Sequence, residues 1–475
     1  MLSTLTYGDF TFFDLFAGVG GTRIAFERCG GTCIFSSEKD PVTRKVYKKN
    51  FGTTPQKDIT KINLKNKRIS NPDILVAGFP CQAFSIAGKK LGFDDSRGTL
   101  FYNISNIIKE KKPHAFFLEN VRGLVHHKSG ETMKEILRIL REDLEYYVPD
   151  PKVVNALDYD VPQNRDRVFI IGFSKESGIK EFSYPSPKSY AAGEQPILAD
   201  ILSTSPVPNK YYLSEGYMSC LKKHKVAQKR EGRGYGYQVK SPFDWSNALT
   251  VGSMGRERNL IFDPRIYDRT PTTKIKSPIN NENLRRLTPR EFARLQGFSD
   301  KYKIDVSDVH AYRLFGNSVA IPAVEAVAKN IVKALIDAKK IEAKSSAKVP
   351  DIYVRPEYRE YEAVKLIKNK LNESGSRPRT HEDIPGNPAI AYKGKKVAIF
   401  IRDEFYHGCE WETQKNYIQN NKEYWIDLIG QTIKEDNEAE NALKNDGWQI
   451  IKYWSGTVFN DTKKCVDEVQ KTLSQ

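Results

Sequence analysis

Over the first third of the chain, short apolar runs alternate with stretches of helical periodicity. Residues 11–16, 33–37, 73–77, 114–121, 153–157 and 168–172 are largely apolar and bounded by glycine, proline or charge, which predicts buried strands. Residues 22–29 predict a helix. So do residues 130–147, where Met133, Ile136, Leu137, Ile139, Leu140 and Leu144 recur at helical spacing. Beyond Phe173 this rhythm breaks into sequence rich in Pro, Gly, Ser and Tyr. It resumes near residue 285, where Thr288 reads as an N-cap, Pro289 as the first helical residue, Glu291 as the capping partner and Gly297 as the stop. An apolar helix over 322–336 follows, then a polar stretch over 338–348 that reads as a linker. After it the alternation restarts: helix over 358–371, short strands over 389–392 and 396–401, helix over 424–444, strand over 448–454. The pattern predicts an α/β chain in which residues 1–173 and 285–340 form one domain around an irregular insertion at 174–284. A linker at 341–355 leads to a small α/β domain at 356–475.

At 475 residues the chain is too long for one ordinary core. Lys and Arg outnumber Asp and Glu by 75 to 59, a formal charge of +16, so polyanions, nucleic acid first among them, are favoured partners. Between Lys210 and Lys276 there are fourteen Lys or Arg against six Asp or Glu, interleaved with tyrosine and glycine. Such a segment suits phosphate contacts and groove-entering loops, with Lys229, Arg230 and Arg233 in its densest part and Arg256 and Arg258 on a second candidate loop. The six cysteines are scattered without a paired framework, which suits a reducing compartment. No apolar run approaches the roughly 20 residues of a membrane span, and no signal peptide is expected at the N-terminus.

Candidate chemistry gathers at the ends of the expected strands. Ala17-Gly18-Val19-Gly20-Gly21 is a tight glycine turn between a strand and a helix, where the backbone and helix N–H groups can approach a ligand. Glu38 follows the second strand at the place where an acid binds ribose hydroxyls, and Asp58 is a further acid downstream. Gly78-Phe79-Pro80-Cys81-Gln82-Ala83-Phe84-Ser85 places a cysteine on a loop at a strand's carboxyl end, where a thiolate is an accessible nucleophile. Glu119-Asn120-Val121 ends another apolar run, and Gln163-Asn164-Arg165-Asp166-Arg167 lies between two strands.

These segments, with Arg285 to Phe298 and Gly316-Asn317-Ser318-Val319, resemble in order the DNA cytosine-C5 methyltransferases. The resemblance implies a Rossmann-like mixed sheet that binds S-adenosylmethionine, with an inserted target-recognition region. It makes Cys81 the nucleophile that adds to C6 of a flipped cytosine, Glu119 the group at N3, Arg167 the group near the base carbonyl and Arg165 a neighbour of the glutamate or the DNA backbone. It assigns Phe16, Ala17, Gly18, Gly20, Gly21, Glu38, Asp58, Pro80, Asn317, Ser318 and Val319 to the cofactor. Gln82, Ser85, Arg97, Lys229, Arg230, Arg233, Arg256 and Arg258 go to DNA, and residues 88–99 to a loop closing over the flipped base. The partner implied is double-stranded DNA, met by a monomer in the bacterial cytoplasm. RNA methylation and DNA binding without chemistry are the competing readings; the basic middle region and Cys81 beside Glu119 and Arg167 weigh against them.

In the C-terminal part, helix, hairpin, helix and strand follow in the order of a small metal-dependent nuclease. Ile384-Pro385-Gly386-Asn387-Pro388, Phe405-Tyr406-His407-Gly408-Cys409, Tyr424 to Gly430 and Gly447-Trp448 are similar to the very-short-patch mismatch endonucleases. By that resemblance His407 and Asp436 act as an acid–base pair, and Glu362 matches an acidic position. The metal-binding aspartate is replaced by Ala389, an earlier histidine is replaced near Arg402, and the zinc cysteines are mostly absent. A methyl group cannot ligate a hard cation, so Mg2+ is expected only if an aspartate replaces Ala389. The expectation is a nuclease fold that does not cleave, either through an inactivating substitution or as a naturally inactive DNA-binding relative. The fusion suggests a restriction–modification pair or methylation coupled to T·G mismatch repair, and the nuclease-like part is a possible dimerisation surface.

Overall fold

The computed structural model describes residues 7–62, 69–79, 100–232, 236–251, 256–346, 349–352, 359–379 and 383–474. The chain divides into two compact units: residues 1–189, 247–252 and 292–354, and residues 190–246, 253–291 and 355–475.

The first unit is built on an eight-stranded mixed sheet. Strands β1 (Tyr7–Leu15), β2 (Gly31–Ser37), β3 (Ile74–Gly78) and β4 (Ala115–Val121) run parallel in the order β2-β1-β3-β4. Helices α1 (Gly21–Glu27), α2 (Pro41–Phe51) and α3 (Leu100–Lys111) fall between them in sequence, and α4 (Gly123–His126) follows β4. Parallel strands joined by helices are covered on both faces, so β1, β3 and β4 read as near-continuous apolar runs. Leu75, Val76, Ala77, Phe116, Phe117 and Leu118 are accordingly buried. Beyond β4 the sheet turns antiparallel through β8 (Asp166–Ser174), flanked by β5 (Tyr146–Tyr147) and β6 (Lys152–Asn155). The expected helix over 130–147 is shorter than its periodicity suggests. Regular helix α5 (Glu131–Arg138) passes into one π-helical turn, and Glu145, at φ 56°, reverses the chain into β5. The two-residue strand β7 (Gln163–Asn164) precedes β8.

In the second unit, the segment expected to be irregular contains helix α6 (Glu215–Arg230), started by the Ser214 hydroxyl, which accepts the Tyr217 N–H at 3.3 Å. Its lysines hide the periodicity, because only Met218 and Leu221 are buried. Short strands β9 (Gln238–Lys240), β10 (Ser246–Asn247), β11 (Asn259–Phe262) and β12 (Leu284–Arg286) follow, and β11 is the centre of a sheet with β9 and β12.

The capping box at Thr288 forms as expected: the Thr288 N–H donates to Glu291 and the Glu291 N–H donates to the Thr288 hydroxyl. Helix α7 (Pro289–Arg294) stops before the expected Gly297, and α8 (Asp308–Asn317) and α9 (Ile321–Asp337) complete the first unit. The expected linker is partly strand. Residues Glu342–Lys344 form β13 on the edge of β1, where Lys344 pairs with Asp9 at 2.6 Å, and Ile352 bridges Phe298. A three-residue edge strand of charged residues has no apolar period to give it away.

The C-terminal module of the second unit has helix α10 (Arg359–Glu373), then strands β14 (Ile390–Tyr392), β15 (Val397–Arg402) and β16 (Gln449–Trp454), with α11 (Trp411–Gln414) and α12 (Lys422–Asn445) between the last two. β15 is central, antiparallel to β14 and parallel to β16. Two closing helices, α13 (Ser455–Asn460) and α14 (Thr462–Ser474), were not foreseen; Cys465, Val466 and Val469 pack with Ala363, Ile367 and Leu371 of α10 on one face of this sheet. Leu443 of α12 packs with Ala398 and Phe400 on the other.

Candidate active site

In the parallel pairing of β3 with β4, Gly78 stands opposite Glu119. A Cβ on Gly78 would lie 3.3 Å from the Glu119 carboxylate, so the chain leaves β3 beside that acid three residues before Cys81. Asn120, almost fully buried, donates from Nδ2 to the Phe79 carbonyl at 2.8 Å and accepts the Val121 N–H at its Oδ1 at 2.8 Å. It fixes the exit from β3. Arg167, beside Val121 in the β4–β8 register, forms an ion pair through Nε with Glu119 at 2.9 Å and donates from Nη1 to the Asp166 carbonyl at 2.7 Å. The result is a nearly buried carboxylate held in one orientation by a guanidinium, a geometry suited to hydrogen bonding one fixed ligand atom.

Arg165 feels the charge of Glu119, as expected of a neighbour, but its hydrogen bonds go elsewhere. It is 1 % exposed and donates to the carbonyls of Leu249 (2.9 Å), Gly316 (3.0 Å) and Ser318 (2.7 Å). Burial, and then Arg167 alongside, pull its pKa down to about 9. Next to it, the Gln163 amide donates to the Leu295 carbonyl and accepts the Leu249 N–H, both at 2.9 Å, and Gln296 donates to the Phe315 carbonyl at 2.8 Å. These three side chains tie β7, the segment around Leu249, the end of α7 and the turn after α8 into one buried cluster.

The glycine turn divides its labour. Gly18, at φ 54°, faces open space: a Cβ there would meet nothing closer than the Phe16 carbonyl at 3.9 Å. Gly20, at φ 82°, is needed for packing, because a Cβ would lie 2.3 Å from the Phe51 ring. Gly21 lies against the turn after α8, where a Cβ would come within 2.9 Å of the Ser318 hydroxyl and 3.0 Å of Val319. Glu38 accepts the Gly18 N–H at 3.1 Å and the Asp40 N–H at 2.7 Å, and burial raises its pKa. Asp14, buried beneath the turn, binds the Thr22 hydroxyl at 2.7 Å, and burial pushes its pKa up to about 7. Asp58 instead caps a short 3₁₀ turn through Thr60, and Asn317 is exposed at the end of α8. Open space at Gly18, the half-buried Phe16 and a carboxylate beside the turn fit a nucleoside cofactor with hydroxyls to donate.

A family model described as C-5 cytosine-specific DNA methylase matches residues 10–333. The chain belongs to that family. It is 54 % identical over 326 residues to the type II methyltransferase M.HpaII of Haemophilus parainfluenzae, covering 69 % of this chain and 90 % of the relative. To the type II methyltransferase M.HhaI of Haemophilus parahaemolyticus it is 37 % identical, over 68 % of this chain and 94 % of the relative. The Dnmt2 methyltransferase of S. pombe shares the fold at a TM-score of 0.53 and 18 % identity, over 69 % of this chain and 98 % of that one. Membership of the cytosine-C5 methylases implies DNA as substrate and S-adenosylmethionine as methyl donor.

Several residues expected in this methylase's sites, Pro80, Cys81, Gln82, Ser85, Arg97 and Arg233, lie outside the described residues, as does the 88–99 loop. The side chain of Arg256 lies outside them too. Lys229 and Arg230 are exposed at the end of α6, and Arg258 is half-buried just before β11. Asn120, Gln163 and Gln296 fall in segments quoted from the sequence but were given no role there; each is a polar residue beside an expected catalytic or capping residue, and burial alone reveals its task. Among the described residues no helix is long and apolar enough to cross a membrane.

The C-terminal module has its own charged cluster. His407 bonds Asp436 through Nδ1 at 2.7 Å and Glu360 through Nε2 at 2.8 Å, while Arg402 holds the other Asp436 oxygen at 2.8 Å. The α10 carboxylate that His407 meets is Glu360; Glu362 is exposed two residues further on. Ala389, at the start of β14, packs its methyl among the apolar residues of the sheet. Among the described residues no group of three His, Cys, Asp or Glu is arranged to hold a metal. Burial opposes the His407 charge, but hydrogen bonds to Asp436 and Glu360 outweigh it and push its pKa up to about 9. A folded-state pKa raised above the unfolded ~6.5 gives stability that is full below pH ~6.5 and lost as pH rises through about 9, on the order of 1–3 kcal/mol. Urea unfolding at pH 6 and pH 9.5 should show that loss, and His407→Gln should remove most of the difference.

Proposed function

We propose that this chain methylates C5 of a cytosine within a specific double-stranded DNA sequence, through a covalent Cys81 adduct on a base flipped out of the helix. The observation that carries the reading is the Gly78–Glu119 register, which starts the Cys81 loop beside a carboxylate held by Arg167. The Cys81 thiolate adds to C6, turning the ring into an enamine with electron density at C5. Glu119 hydrogen-bonds N3 and stabilises the charge that addition creates, and Arg167 holds Glu119 and stabilises charge at the base carbonyl. Arg165 is a positioning residue that holds the turn at Ser318. Phe16, Gly18 and Glu38, with Ser318 and Val319 opposite Gly21, would hold S-adenosylmethionine, which supplies an electrophilic methyl group when bound. Loss of the C5 proton then lets the C6–S bond break and returns the thiolate. Extruding the base costs a few kcal/mol, which contacts from the basic second unit offset. The test is to methylate a plasmid with labelled cofactor and map modified sites by bisulfite sequencing; incorporation at no fixed sequence would overturn the reading.

The relatives named as type II methyltransferases support a role in restriction–modification. For the C-terminal module we propose a nuclease-like fold that does not cut. Ala389 offers no ligand, and Arg402 and His407 already neutralise Asp436 and Glu360. Because Arg402 as well as Ala389 departs from a metal site, natural inactivity is favoured over a single inactivating change. Neither the native chain nor Ala389→Asp is expected to nick a supercoiled plasmid with Mg2+. Nicking by the Asp form would show instead that one substitution had silenced an otherwise complete nuclease.

A further inference from the structure

The second unit contains both the basic region that follows residue 189 and the C-terminal module, and side chains from the two fill one interior. Phe243, 1 % exposed, stacks on Trp425 with ring centroids 4.6 Å apart and planes 20° apart, and meets Tyr406 edge-on at 5.5 Å. Beside it the carboxylate of Asp244 is completely buried. Its Oδ1 accepts the N–H groups of Gln419 (3.0 Å) and Asn420 (2.9 Å) and the Asn420 amide (2.9 Å), and its Oδ2 accepts the Ser241 N–H (3.1 Å). Without residues 419 and 420 this anion would keep one donor in an apolar interior, a situation that folded proteins avoid. Such contacts are those of a shared core, not of a domain tethered by a linker.

The contacts converge on one strand. β11 begins directly after Arg258, so it is the stem of the loop expected to reach the bases. Phe262 at its far end lies 5.5 Å from the Tyr417 ring. Arg265 lies three residues on; its guanidinium sits over Phe405 at 4.7 Å and donates to both Asp263 oxygens. Asp263 also binds Arg285 of β12, which pairs with Glu291. β9, the other neighbour of β11, reaches Gln419 through the Lys240 ammonium at 3.2 Å.

We propose that the C-terminal module is a specificity-determining half of the sequence reader: it fixes the β9–β11–β12 stem, and so decides which DNA sequence is methylated. This rests on the methyltransferase reading above. A groove-reading loop discriminates only if its stem is held, because a misplaced donor loses its base-edge hydrogen bonds while phosphate contacts persist.

The test uses the whole 475-residue chain carrying Trp425→Ala, with Trp425→Phe as the conservative control and Phe405→Leu, which keeps an apolar side chain but removes the ring beneath Arg265, as a second and milder probe. A plasmid of known sequence is methylated with labelled S-adenosylmethionine and its sites mapped by bisulfite sequencing. Trp425→Ala and Phe405→Leu should lower the preference for the native site over sites one base pair different by about tenfold and raise KM for plasmid by a similar factor. KM for S-adenosylmethionine should stay within about twofold, and Trp425→Phe should restore the preference. If Trp425→Ala proves too unstable to assay, Phe405→Leu alone decides. Hydrogen exchange at Leu260, Ile261 and Phe262 should quicken in either variant while that of Leu75 and Phe117 does not change. Unchanged site preference in a variant whose β11 amides exchange faster would overturn the proposal, as would unchanged exchange. If the native chain itself left the plasmid unmodified, the methyltransferase reading would fall, and that result differs from variants that match an active native chain.

Discussion

Cys81→Ala is expected to abolish transfer of labelled methyl to DNA, by a factor on the order of 10⁴ or more, while duplex binding by gel shift stays close to native. The size of the effect follows from the chemistry. Without addition at C6, cytosine C5 carries too little electron density to attack a sulfonium methyl, and no neighbouring group can substitute for a covalent bond. A duplex carrying 5-fluorocytosine at the target gives an independent readout. Fluorine cannot leave as the C5 proton does, so the native chain should be trapped as a denaturation-resistant adduct and the alanine form should not. Glu119→Gln keeps the shape and loses the charge held by Arg167; a fall of about 10²–10⁴ in kcat is expected, with trapping slowed but present. An alanine form that still methylates would show that another group attacks the ring.

Asp263→Ala should have the largest effect on stability. Asp263 is wholly buried between the guanidinium groups of Arg265 (2.8 Å) and Arg285 (2.7 Å), and Arg285 also pairs with Glu291. Burial works against the Asp263 charge, but the two arginines outweigh it and hold the carboxyl well below the usual range. Removing it leaves two cations in an apolar interior with one carboxylate between them, which costs about 3–5 kcal/mol. Urea unfolding should show the midpoint falling accordingly, and the β11 amides should lose protection first. Because the folded-state pKa is depressed, the native contribution is present above pH ~4 and fades as pH falls further; acid sensitivity should be blunted in the alanine form.

Much of the catalytic unit was legible because its strands are short apolar runs bounded by glycine, proline or charge. β1, β3 and β4 fall where the runs fall, and the Thr288 capping box forms between the residues expected. What was not legible depended on burial. Arg165 and Arg167 are two residues apart on an extended segment and look alike; only packing separates a guanidinium spent on three carbonyls from one facing Glu119. Gly20 and Gly18 likewise share a turn, yet one is demanded by the Phe51 ring and the other looks onto open space. α6 lies in a segment expected to be irregular, because lysine interrupts its apolar face. That His407 meets Glu360 was not legible, because which face of α10 meets it depends on helix phase against its own sheet. The fusion of the basic region with the C-terminal module left no signal at all, since a phenylalanine and an aspartate at 243 and 244 are unremarkable until Trp425 and Asn420 are placed beside them.

That shared interior imposes an order on the chain's birth. When the ribosome has reached Glu291, Phe243 and the Asp244 carboxylate still await partners that emerge only after Asn420 and Trp425 have been made. At roughly 5–20 residues per second, that is a delay of about 7–27 s. Throughout it the nascent polypeptide leaves the Phe243 ring uncovered and the Asp244 carboxylate bound to water in place of its donors. A chain stopped early by a nonsense codon near residue 350 would therefore keep its first sheet and reach the cell as a substrate for chaperones and proteases.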